Sequence, residues 1–111
     1  MYVQLLEGMS PWSETTAGTD SGATATHAAA TNVQHFVTGV SGHGDQDATL
    51  QIKDGSTVMA EFKIDVSVEG ISFKPWTGLI PITPGAACSA VISASGSDCQ
   101  VNVNGFSIIK P

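Results

Sequence analysis

The sequence predicts an all-β fold, a small β-sandwich or jelly roll of about eight strands with an extended N-terminal arm. Three observations predict it. From Ala23 onward, apolar residues recur with a period of two in short segments separated by turn residues. No window keeps a helical period over three turns, and good helix formers other than Ala are scarce. Gly, Ser and Thr (12, 12 and 11 residues) stand where charge would: 13% of the 111 residues are charged and 41% are hydrophobic. A chain of this size builds one modest core and no second fold.

Residues 1–22 differ from the rest and are read as an N-terminal arm, with 23–111 as the sandwich domain. After a short apolar start and Pro11-Trp12, the run Ser13 to Gly22 is small and polar, the composition of a linker. Tyr2, Val3, Leu5 and Leu6 are candidates to add a strand to a neighbour's sheet edge, and Trp12 to anchor against a partner. The alternative is that the arm folds back onto its own domain.

The strands are read in order as Ala23–Ala29, Gln34–Val40, Asp47–Lys53, Thr57–Ile64, Asp65–Phe73, Gly78–Thr83, Ala87–Ala94 and Cys99–Ile109. Phe36, Thr38 and Val40 share one face of the second; Ala48, Leu50 and Ile52 share one of the third; Val58, Ala60, Phe62 and Ile64 share one of the fourth. Asp54-Gly55 is a strong turn signal. A three-residue loop with Gly55 in the left-handed position pairs Ile52 with Val58, Leu50 with Ala60 and Ala48 with Phe62, keeping one face apolar on both strands. A second hairpin centred on Gly96-Ser97 pairs Ile92 with Val101 and Ala90 with Val103. That register separates Cys88 from Cys99 by more than the about 4.4–6.8 Å a disulfide spans between Cα atoms, so both are read as small core residues.

Charge and motifs exclude several functions. Ten acidic residues against four lysines, with no arginine, give a net charge of -6, which disfavours nucleic acid and anionic membrane surfaces. No run approaches the roughly 18 apolar residues of a membrane helix, and the start carries no basic n-region, which predicts folding in the cytosol. Two cysteines with no CxxC pair predict neither a zinc site nor a disulfide scaffold. Gly42-His43-Gly44-Asp45-Gln46-Asp47 is the one dense polar cluster; its spacing fits no calcium loop, and it is read as a solvated turn. His27 and His35 are read as exposed sheet histidines on successive strands. No nucleophile elbow, phosphate loop or dinucleotide turn is present, so neither catalysis, a metal nor a cofactor is expected. Trp76, in Phe73-Lys74-Pro75-Trp76, either presents a ligand or interface loop or caps one end of the sandwich.

Several stretches together carry a resemblance: Ala23 to Ala30, His35 to Gly42, Leu50 to Val58, Pro84-Gly85, and Ser93 to Ser97 leading into Val101 to Phe106. The succession over residues 23–109 resembles head decoration (cement) proteins of tailed bacteriophages with a small jelly-roll domain. The resemblance implies a homotrimer on the outer capsid surface, bound to the major capsid protein and stabilising the head across subunit boundaries, made in the host cytoplasm and without chemistry of its own. The alternative reading is a receptor- or glycan-binding module of a phage tail or head fibre.

Overall fold

The computed structural model describes residues 9–19, 22–65, 73–93 and 98–109. Within them the chain forms eight strands and no helix: β1 (Ser10–Thr19), β2 (Ala23–His27), β3 (Val33–Gly44), β4 (Ala48–Asp54), β5 (Thr57–Ile64), β6 (Phe73–Pro81), β7 (Cys88–Ser93) and β8 (Asp98–Ile109). Antiparallel pairing joins β1 to β8, β2 to β7, β3 to β6 and β4 to β5. The chain is therefore one long hairpin, bent at Gly55-Ser56 and rolled over itself. The roll closes into a first sheet ordered β1-β8-β3-β6 and a second ordered β2-β7-β4-β5. This is jelly-roll topology, the fold class the alternating pattern predicted.

The arm is extended, as expected, but Ser10–Thr19 belongs to the domain's own sheet. β1 runs along β8 from Ser10 opposite Ser107 to Thr19 opposite Asp98. The exposed edge of β8 leaves backbone donors and acceptors unpaired, and β1 satisfies them. Trp12, Glu14, Thr16 and Gly18 are half-buried while their neighbours are exposed. Tyr2, Val3, Leu5 and Leu6 lie outside the described residues, as does most of the segment read as Asp65–Phe73. Phe73 and the stretch from Gly78 to Pro81 are one continuous strand, β6. Pro75 and Pro81 sit in it without breaking it, because an edge strand does not need every N–H.

Three register expectations are corrected. At the β4–β5 hairpin Gly55 does adopt a left-handed φ of 60°. However, Ile52 lies opposite Ala60, Leu50 opposite Phe62 and Ala48 opposite Ile64. Met59 is the extra residue of a bulge between Ile52 and Lys53, which turns Val58 outward to 46% exposure. In β3 a bulge at Thr38 resets the alternation, so Val37 and Val40 both face the core while Phe36 stacks on Phe106 outside it. Finally, β7 and β8 do not form a hairpin. They lie in different sheets, and Ile92, Ala90, Val101 and Val103 meet in the core as facing layers.

The core between the sheets is built from these inward positions, with Leu50, Ile52, Ile82 and Ile92 the largest fully buried side chains. Each such side chain contributes about 1.5–3 kcal/mol by leaving water. Cys88 and Cys99 are buried there as free thiols. Burial pushes the Cys88 thiol from an ordinary 9.0 up to about 12, helped by the carboxylates of Asp54 and Glu14.

Candidate functional site

The sandwich has two open sides, one between edge strands β1 and β2 and one between β5 and β6. A tryptophan closes each. Trp76 is not on a loop: it pairs with Val40 within the first sheet and packs on Phe62 of the second, ring centroids 6.2 Å apart. Its indole folds over Gly78, where a Cβ would meet the ring 2.6 Å away. Trp76 therefore packs against the core from an edge strand and stays half-buried.

Trp12 closes the opposite side. It stacks on His27 with ring centroids 4.2 Å apart and planes 9° from parallel. The His35 ring stands edge-on to both, 4.5 Å from His27 and 6.0 Å from Trp12. Trp12 thus packs on its own domain and stays half-buried. The expectation of exposed histidines fails for His35, which is 2% exposed, because β3 turns it to the inner face opposite Ser107.

Hydrogen bonds fix the protons of this cluster. The Ala28 carbonyl can only accept, so His35 Nε2–H donates to it at 2.8 Å. In the neutral ring Nδ1 then accepts from the Ser107 hydroxyl at 2.6 Å. His27 Nδ1–H donates to the Glu14 carboxylate, 2.8 Å away, and the two side chains keep 25% and 39% of their surface exposed. Trp12 Nε1 is different. Among the described residues it is the one buried side-chain nitrogen or oxygen with no hydrogen-bond partner.

A groove of about 540 Å³ opens over this cluster, bounded by Trp12, Glu14, His27, His35, Ser107 and the small side chains of Ala28 to Ala30. Two other depressions flank Asp47 and contain no aromatic ring. An aromatic floor with a few convergent polar groups is the usual make-up of a small-ligand site. A carboxylate and an imidazole suit a ligand that both donates and accepts, as hydroxyl groups do.

No family model matches the chain. No curated protein matches it either. Among solved structures, the chain is similar to the insecticidal delta-endotoxin Cry8Ea1 from Bacillus thuringiensis, at 11% identity and a TM-score of 0.44. That likeness covers 86% of this chain but only 19% of the toxin. It is also similar to the carbohydrate-binding module CBM36 solved with calcium and xylotriose, at 12% identity, 86% and 87% coverage and a TM-score of 0.42. A third is CsCBM6-3 from Clostridium stercorarium, solved with cellobiose, at 17% identity, 93% and 82% coverage and a TM-score of 0.38. Likeness at this level carries nothing about ligand or partner, and the site is read from its own residues.

The solvated turn expected over Gly42–Asp47 is half strand: Gly42, His43 and Gly44 end β3, with both glycines buried, and only the three residues after them turn. His43 Nε2–H donates to Gln100 Oε1 at 2.9 Å, and Asp45 N–H donates to the Asp98 carbonyl. Among the described residues no group of three or more His, Cys, Asp or Glu is arranged to hold a metal ion. Glu14, His27, His35 and Ser107 were not singled out together in the sequence. The signal available was the alternation of Trp12, Glu14, Thr16 and Gly18, an inward face too polar to read as a strand.

Proposed function

We propose that the protein is a non-catalytic carbohydrate-binding module, with the β1–β2 groove as its site. The observation that carries the reading is a groove that sets the partly exposed Glu14 carboxylate and His27 imidazole beside the Trp12–His27 stack. Sugar hydroxyls donate to the carboxylate, where each charge-assisted bond is about twice as strong as a neutral one. The test is a printed array of neutral and acidic oligosaccharides probed with the wild type and Glu14→Gln. Binding to a defined glycan set, weakened about tenfold in Glu14→Gln, is expected. Binding equal in both proteins, or to no glycan, overturns the reading.

A second reading, the capsid decoration protein of the resemblance, is favoured by a different surface. Pro11, Phe106, Phe36 and Pro81 lie opposite one another across all four strands of the first sheet, on its outer face. An apolar row of this kind suits packing against a protein shell. Saturable cosedimentation with expanded capsid shells lacking the protein, abolished by Phe36→Ser/Phe106→Ser, supports that reading, and absence of cosedimentation removes it.

A further inference from the structure

Among the described residues four edge strands end the two sheets, and an edge without a neighbour invites another chain to add to it. Three of them are blunted in sequence. β6 carries Pro75 and Pro81, β1 carries Pro11, and β2 is only five residues long. β5 is eight residues long and contains neither Pro nor Gly. Beyond the bulge at Met59 it runs regularly from Ala60 to Ile64 against β4.

The charges on that regular stretch decide what fits it. Lys63 alone would guard the edge by repulsion, but Glu61 stands two residues before it on the same exposed face. Both side chains are held on the sheet: Gln51 Nε2 donates to Glu61 Oε1 at 2.7 Å, and Lys63 Nζ donates to Thr49 Oγ1 at 3.1 Å. An antiparallel copy of β5 related by a two-fold axis through Phe62 sets Glu61 opposite Lys63 of the partner subunit, and Lys63 opposite its Glu61. A Glu-Phe-Lys triplet is thus complementary to itself in that register alone, because any other shift by two residues removes both cross-strand ion pairs.

We infer that the β5 edge is a homodimer surface, with Phe62 on the two-fold axis and the second sheet continuing across it as eight strands. The occupant is a second copy of this chain. Val58 and Met59, at 46% and 45% exposure, extend the same edge with apolar surface. The inference stands independently of the carbohydrate reading. Pairing at β5 leaves both β1–β2 grooves on the far sides, open and facing apart.

Analytical ultracentrifugation of the wild type, Glu61→Lys, Lys63→Glu and the double charge swap tests it at low salt. The wild type is expected at twice the 11.4 kDa chain mass. Each single variant turns two attractive pairs into two repulsive ones and should weaken the dimer about tenfold or more, and the double swap should restore it. Thermal melting of the dilute variants should remain close to the wild type, because both positions are exposed. A wild-type monomer at every concentration, a trimer, or a dimer indifferent to the single variants would each overturn the inference.

Discussion

Trp12 lies flat on His27, ring centroids 4.2 Å apart, and the two rings come from the edge strands of different sheets. The stack bridges the sheets on the side where no backbone ladder joins them, next to the His27–Glu14 hydrogen bond. Replacing Trp12 by Ala removes this bridge and should cost about 2–3 kcal/mol, below the full cost of a wholly buried tryptophan because Trp12 is half-buried. Urea unfolding checks it. Trp12→Phe, which keeps a stacking ring but loses the N–H and the second ring of the indole, should cost less, about 1–2 kcal/mol.

Deleting residues 1–22 should unfold or aggregate the protein. β1 pairs with β8 along its full length, so its loss exposes the edge of β8 and the inner positions Val101 and Val103. Circular dichroism melts of this truncation and of the full chain check it.

Gly105→Ala should be severe. A Cβ at Gly105 runs into the Phe36 carbonyl oxygen and approaches Trp12 Cζ2 at 3.0 Å. The obstacle is backbone in the neighbouring strand, so relaxation would have to move β3 away from β8. A loss of about 3 kcal/mol in chemical denaturation is expected, the upper end of ordinary overpacking.

Much of the fold was legible because its inward residues are apolar at every second position, as in Ala48-Thr49-Leu50-Gln51-Ile52. Where that signal broke, a physical reason is visible. The inward face of β1 is Trp, Glu, Thr and Gly, which has no apolar alternation, so a strand read as an arm. The bulges at Thr38 and Met59 shift parity without leaving a mark in composition. The β7–β8 segment carries the pattern of a hairpin, yet sheet membership is set by long-range pairing of β7 with β2 and β4, which local sequence does not encode. The candidate site was legible only in parts: Trp12 stood out as a large aromatic, whereas Glu14, His27 and His35 acquire a role only when the roll brings β1, β2 and β3 to one edge.

Cys88 predicts a pH dependence. Its native pKa of about 12 lies above the ordinary 9.0 of an unfolded chain, mainly through burial. Its contribution to stability is therefore intact below pH 9 and falls as the pH rises from 9 toward 12, where the unfolded thiol loses its proton and the native one keeps it. Urea midpoints measured from pH 8 to 10.5 should fall more steeply in the wild type than in Cys88→Ala. Native protein at pH 8 should also resist iodoacetamide that labels the unfolded chain.

The most direct measurement is an NMR titration that follows the Trp12 Nε1–H resonance, a reporter beside the groove, while the oligosaccharides selected on the array are added to the wild type and to Glu14→Gln. A saturable shift of that resonance, together with about tenfold weaker binding by the folded Glu14→Gln, is the predicted result. A resonance that stays in place while an oligosaccharide binds, or Glu14→Gln binding as tightly as the wild type, would contradict the groove as the site.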